Sequence, residues 1–289
     1  MIDAAHRLAG LLEATPYASR LGLRCGDVLT DTATASVPYL ADLANAQGFV
    51  HGGVAASLSI WTASLVAVAS DRGREASALP VSASIAYLSA AREEGLHATA
   101  RMTARGRDVV HVEVEVASDR GRIVASALMV IRTLEAAGAG AVVSRDSFAV
   151  PSNDAEFLSP FSRSMGAVVR SHRAPSAQMM MPLGPNAGLG GAIDPGALVS
   201  LADTCSALAC VPSLDERVRG SATLSLAAVF ARPLAGPAVA TGWAIADGGS
   251  IKSARIEIGP LQETAAGAAP AAASVAMTAL VTYRFAAWP

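Results

Sequence analysis

Residues 45–53 read Asn-Ala-Gln-Gly-Phe-Val-His-Gly-Gly and open a long apolar run of helical character. A helix start offers unpaired backbone N–H groups and the positive end of the dipole, and a glycine at position 52 lets a polar group come close. Such an amide suits a developing oxyanion. The run contains no carboxylate to serve as base or nucleophile. A second apolar run, 194–211, lacks the His-Gly-Gly but carries Asp203 among Leu201, Ala202, Ala207 and Leu208. A carboxylate in those surroundings is costly unless it is hydrogen-bonded or put to use. Each run holds what the other lacks. If both halves fold alike and pack face to face, they assemble one complete site and one defective copy.

The elements that must position these residues repeat along the chain. Thr15-Pro16-Tyr17-Ala18-Ser19-Arg20-Leu21-Gly22 matches Ser159-Pro160-Phe161-Ser162-Arg163-Ser164-Met165-Gly166 at a separation of 144 residues, which also carries Val37-Pro38 onto Met181-Pro182. Segment 84–88 meets 227–231 at a separation of 143, and 127–132 meets 279–284 at 152. The extra residues fall in a Gly/Pro/Ala-rich stretch at 259–273, which reads as a loop insertion.

Within each half a short amphipathic helix (4–12, with 154–161 as its abbreviated counterpart) precedes a strand region and one long apolar helix, 52–70 or 195–211. Asp194-Pro195 is a strong helix start, with Asp as the cap and Pro at the first helical position. Strands follow. Residues 111–116 alternate with period two between 98–105 and 123–132, and the turn lies at Asp119-Arg120-Gly121. In the second half 239–246, 251–258 and 275–285 play those parts around Asp247-Gly248-Gly249. The fold class is α+β. Repeat 1 spans 1–135, repeat 2 spans 152–289, and 136–151 is the linker.

Of the 289 residues, 52% are hydrophobic and 16% charged, enough apolar material for a substantial core. The net charge of −2 offers no electrostatic footprint for nucleic acid or an anionic membrane. Cys25, Cys205 and Cys210 cannot all pair within the chain and lack metal-ligand spacing, which fits buried thiols in a reducing cytoplasm. The N-terminus has no signal-peptide pattern. The best membrane candidate, 54–70, is interrupted by Ser57, Ser59, Thr62 and Ser64 and is short for a span. The expectation is a soluble cytoplasmic protein with no metal and no cofactor.

The Asn-x-x-Gly-x-x-His-Gly-Gly opening and the helix-then-strands plan resemble the hotdog-fold acyl-CoA thioesterases of the phenylacetate-pathway type. The resemblance covers nearly the whole chain, one unit per half. It implies a double hotdog: two repeats, each a long central helix wrapped by an antiparallel sheet, paired as a pseudo-dimer. Members of that family place an acid nine residues after the motif histidine, acting across the unit interface. Here that position is Ile60 in the first half, whereas Asp203 lies nine residues after Asp194 in the second. A Ser or Thr seven residues before the strand aromatic is also common there. It falls on Thr223 before Phe230, and on Pro80 before Tyr87.

The implied function is hydrolysis of an acyl-CoA or acyl-carrier-protein thioester at one composite site. The catalytic set would be Asp203 as general base or nucleophile, Gly52 as amide donor, Asn45 orienting carbonyl or water, and Thr223 holding water. His51, Gly48 and Gly53 would shape the substrate-binding helix entry. The reciprocal site, with Asp194, Gly196 and Ile60, should be dead. Structural readings stand beside these: Gly52 and Gly53 for close packing, Asn45 as a loop cap, Thr223 as an ordinary strand residue, Cys205 as core. Arg105 and Arg107 read as a solvated turn. The rival function is a non-catalytic acyl-thioester binding or sensing protein. The expected assembly is a homodimer of double hotdogs.

Overall fold

A computed structural model describes residues 2–71, 76–135, 158–211, 221–261 and 274–285. The expected linker 136–151 and most of the insertion before residue 274 lie outside them.

The first half contains α1 (Ile2–Glu13), α2 (Pro16–Leu21), β1 (Arg24–Val28), β2 (Thr32–Val37), α3 (Gly52–Ala69), β3 (Ala76–Tyr87), β4 (Leu96–Arg105), β5 (Val109–Ser118) and β6 (Ile123–Glu135). The second contains α4 (Pro160–Ser164), β7 (Val168–Arg173), β8 (Ser176–Met181), α5 (Pro195–Cys210), β9 (Ser221–Phe230), β10 (Ala238–Gly248), β11 (Ile251–Pro260) and β12 (Met277–Phe285). One correction concerns the short helices. The counterpart of α4 is α2 rather than α1: Thr15 and Ser159 each cap a helix that begins with proline, by accepting from the N–H of Ala18 and Ser162.

All twelve strands form one antiparallel sheet in the order β1-β2-β4-β5-β6-β3-β9-β12-β11-β10-β8-β7. Read from either end, the order is the same plan. The halves join where β3 pairs with β9, in a register centred on Ser84↔Ala227. Both inner strands carry a bulge at the equivalent place. Pro80 pairs with Ile131 and Ser82 with Val130, while Thr223 pairs with Tyr283 and Ser225 with Thr282. β5 alternates buried and exposed residues as its period-two pattern predicts.

Helix α3 is buried from Gly53 to Val68, which fits its lack of a polar face. Its hydroxyls are satisfied within the helix: Ser57, Ser59, Thr62 and Ser64 donate to the carbonyls of Gly53, Ala55, Leu58 and Ile60 at 2.6–2.8 Å. By length and composition this helix could cross a bilayer, but it is enclosed by its own sheet. Its C-terminus is clamped by Arg105, which reaches Ser70 Oγ at 2.5 Å and Asp71 at 3.1 Å. Arg105 is thus a structural residue of the α3 C-terminus, not part of a solvated turn.

Helices α3 and α5 cross where their glycines meet serines. A Cβ on Gly53 would lie 2.3 Å from Ser200 Oγ, and one on Gly196 would lie 2.4 Å from Ser57 Oγ. Tyr17 reaches the crossing, with its hydroxyl 2.9 Å from Ser57 Oγ and 3.1 Å from Ser200 Oγ. This close approach brings the N-terminus of each long helix beside the middle of the other.

Candidate active site

His51 is the N-cap of α3: its Nδ1 accepts the Gly53 N–H at 3.0 Å. That bond assigns the ring proton to Nε2 in the neutral imidazole. The ring packs on Phe161 of the second half at 4.9 Å between centroids. Burial lowers the His51 pKa below its ordinary value, against a smaller opposing pull from Asp203. His51 therefore holds the helix start as a neutral cap.

Gly52 is the first helical residue, and its N–H makes no hydrogen bond to the described residues. A Cβ there would sit 3.2 Å from Tyr87 Cε1 and 3.4 Å from Asp203 Oδ2. Gly53 shows the packing use, one of its two readings. Its amide is spent on His51 and its α-carbon faces Ser200, so it contributes close packing and not a ligand contact.

Asp203 stands on α5, only 3% exposed. Its Oδ1 accepts from Thr223 Oγ1 at 2.9 Å and from the Tyr283 hydroxyl, which also contacts the Asp203 carbonyl and Ser206. Oδ2 lies 3.6 Å from His51 Nδ1. Because Nδ1 already accepts from Gly53, this approach is not a hydrogen bond. Among the described residues nothing donates to Oδ2, which leaves that oxygen facing Gly52.

The structure thus brings Asp203, Thr223, His51 and Gly52 together. Thr223 meets the carboxylate itself, where the expectation had it holding a water. Asn45 does not touch this group. Its Oδ1 accepts from the N–H of Gln47 at 2.9 Å and of Phe49 at 3.1 Å, which closes the loop before His51. Gly48, at φ +81°, makes the turn of that loop. Cys205 is core: its thiol lies against the carbonyls of Ala177 and Ala240, and burial pushes its pKa up to about 12.

At the symmetry-related position the polar groups are gone or used. Asp194 caps α5 through Oδ1, which accepts the Gly196 N–H at 2.8 Å, while Oδ2 accepts from Trp61 Nε1 at 3.0 Å. Ile60 and Trp61 are buried there, at 1% and 2% exposure. Asp203, Thr223 and Tyr283 correspond to Ile60, Pro80 and Ile131.

Sequence reasoning missed two tyrosines. Tyr283 stood in the matched segment 279–284, where it replaces Ile131, and that change parallels Ile60 to Asp203. The signal was present. Tyr87 enters the sequence reading only as a strand aromatic, yet its ring covers Gly52 and its buried hydroxyl has no hydrogen-bond partner among the described residues. No group of three His, Cys, Asp or Glu among the described residues converges as a metal site.

Residues 40–132 match the family described as acyl-CoA thioesterase N-terminal domain, a span that takes in the Asn45–Gly53 segment and runs into β6. No curated protein matches the sequence. Among solved structures, the chain is similar to a Thermobifida fusca protein provisionally assigned as a thioesterase II, at 15% identity and a TM-score of 0.61, over 96% of this chain and 100% of that one. It is also similar to the tesB protein of Mycobacterium avium subsp. paratuberculosis, at 14% identity and a TM-score of 0.61, over 98% and 99% of the two chains. A conserved protein of unknown function with hot dog fold from Alicyclobacillus acidocaldarius matches at 14% identity and a TM-score of 0.60, over 92% and 97%. At these identities the likeness establishes the fold. The chain thus has a family match over residues 40–132 of its first half and the hotdog fold along nearly its whole length.

Proposed function

We propose that the chain is a covalent pseudo-dimer of two hotdog repeats, 1–135 and 152–289 joined through 136–151, and that it hydrolyses acyl-CoA thioesters at one composite site. The observation that carries this reading is the 3.4 Å approach of Asp203 Oδ2, from the second repeat, to the position a Cβ would take on Gly52, from the first. The equivalent pair is Ile60 with Pro195, beside the cap Asp194, whose oxygens are both occupied.

The chemistry follows from these atoms. The thioester carbonyl oxygen accepts the free Gly52 N–H at the positive end of α3, which favours charge on that oxygen. Asp203 Oδ2 takes a proton from a water molecule as the water oxygen bonds to the carbonyl carbon. The carbon–sulfur bond then breaks, and the sulfur leaves with the electron pair and receives the proton. The products are a carboxylic acid and a free thiol. Direct attack by Oδ2, through a mixed anhydride, uses the same oxygen and yields the same products. Thr223 and Tyr283 hold Oδ1 so that Oδ2 is presented. Asn45 and Gly48 act through the loop that delivers His51 and Gly52. Leu128 and Leu280, exposed at 60% and 46% on equivalent strands of the outer sheet face, support pairing of two such chains.

Thiol release from acetyl-, hexanoyl-, palmitoyl- and phenylacetyl-CoA tests the reading. Turnover of at least one substrate should fall by about 10³-fold in kcat in Asp203→Asn. No turnover, with thermal stabilisation by acyl-CoA, would make the chain a binding protein. Undiminished turnover in the variant would place the acid elsewhere.

A further inference from the structure

The Tyr87 hydroxyl is buried and has no hydrogen-bond partner among the described residues, although a buried phenol ordinarily finds one. It is carried by Cζ, which lies 3.4 Å from the point where a Cβ on Gly52 would stand. Two further groups at the same place are also unspent: the Gly52 N–H and Asp203 Oδ2. Two donors and one acceptor are therefore grouped around Gly52.

The symmetry-related position offers a comparison within the same chain. The residue equivalent to Gly52 is Pro195, which has no N–H, and the residue equivalent to Tyr87 is Phe230, which has no hydroxyl. The helix N-terminus that faces Asp203 has both donors, and the one that faces Ile60 has neither.

We infer that the Tyr87 hydroxyl is the second donor to the substrate's thioester carbonyl oxygen, opposite the Gly52 N–H. The inference rests on the thioesterase reading above. Burial, with the Asp203 carboxylate adding to it, holds the phenol well above its ordinary pKa of 10, so Tyr87 keeps its proton and donates without transferring it. The hydrogen bond strengthens as charge grows on the carbonyl oxygen, which directs its effect to kcat and not to KM.

Tyr87→Phe removes one oxygen and installs the residue already present at the equivalent strand position. On the CoA thioesters above, kcat should fall about 100-fold with KM changed less than about threefold. The melting temperature should hold or rise, because the deleted hydroxyl had no partner to lose. A second readout does not need turnover. Hexanoyl-CoA labelled with carbon-13 at the carbonyl, bound to Asp203→Asn, should show an infrared carbonyl band that moves to higher wavenumber when Tyr87→Phe is added. A kcat within about threefold of the parent, an unmoved band, or a loss of activity that follows a lowered melting temperature would each overturn the assignment. If the parent protein turns over none of the thioesters, the hydrolase reading fails by itself, and the infrared band still decides whether Tyr87 donates. Absence of both turnover and binding overturns both.

Discussion

The carboxylate of Asp203 spends one oxygen on the hydroxyls of Thr223 and Tyr283 and leaves the other facing the start of α3. This division of labour suits the proposed role as a base, with one oxygen held and the other left to act. Thr223→Val would leave Oδ1 to Tyr283 alone. The lost hydrogen bond to a charged group, about 1.5 kcal/mol, corresponds to about a tenfold fall in kcat with little change in KM; steady-state kinetics check both. At this scale the sequence was informative wherever one repeat could be compared with the other. The residues Asp203 and Thr223, and in retrospect Tyr283, stand against Ile60, Pro80 and Ile131. What comparison could not supply was orientation. That His51 Nδ1 accepts from Gly53, and so cannot donate to Asp203, depends on how the cap closes in space.

The two long helices approach until a glycine on each meets a serine on the other, and this contact sets the distance between Gly52 and Asp203. A Cβ at Gly53 would come within 3.0 Å of the Ser200 α-carbon, which belongs to the backbone and cannot rotate away. Gly53→Ala should therefore force α3 and α5 apart and destabilise the protein by about 1–3 kcal/mol, seen as a lower urea midpoint. It should also lower kcat, because the proposed Gly52 donor and Asp203 base are carried on the helices that separate. An unchanged midpoint would mean the crossing has slack. Helix starts and ends were legible from capping residues and apolar periodicity. The glycine pair was legible only as two small residues, because a crossing point is a relation between helices and leaves no pattern within either.

Over the whole molecule, the position symmetry-related to the candidate site joins the halves. Trp61 of the first half donates to Asp194 of the second, in a buried setting that pushes the Asp194 carboxyl up to about 6, chiefly by desolvation. In the unfolded chain this group ionises near its ordinary 3.8. Between those values the folded state holds a proton that the unfolded state has released. The contribution of Asp194 is thus fully present below about pH 4, declines as pH rises, and is gone above about 6. Asp194→Ser keeps a capping oxygen and removes the titration. From pH 4 to 6.5, wild type should lose on the order of 3 kcal/mol of unfolding free energy relative to that variant. Parallel profiles in denaturant titrations would show that Asp194 does not titrate in this range.

The repeat, the two buried helices with their starts, the alternating strands and the choice of Asp203 as the candidate acid were determined by the sequence by itself. All of them are written in local spacing: capping residues, period-two or helical apolar patterns, and a register that recurs after 143 or 144 residues. Only the tertiary structure decided which oxygen of Asp203 is free, that Gly53 serves close packing, and that Tyr87 lies over Gly52 with its hydroxyl unbonded. Those facts arise where β3 meets β9 and α3 meets α5. There, residues remote in the chain come within hydrogen-bond reach, and composition and periodicity carry no record of the distance between them.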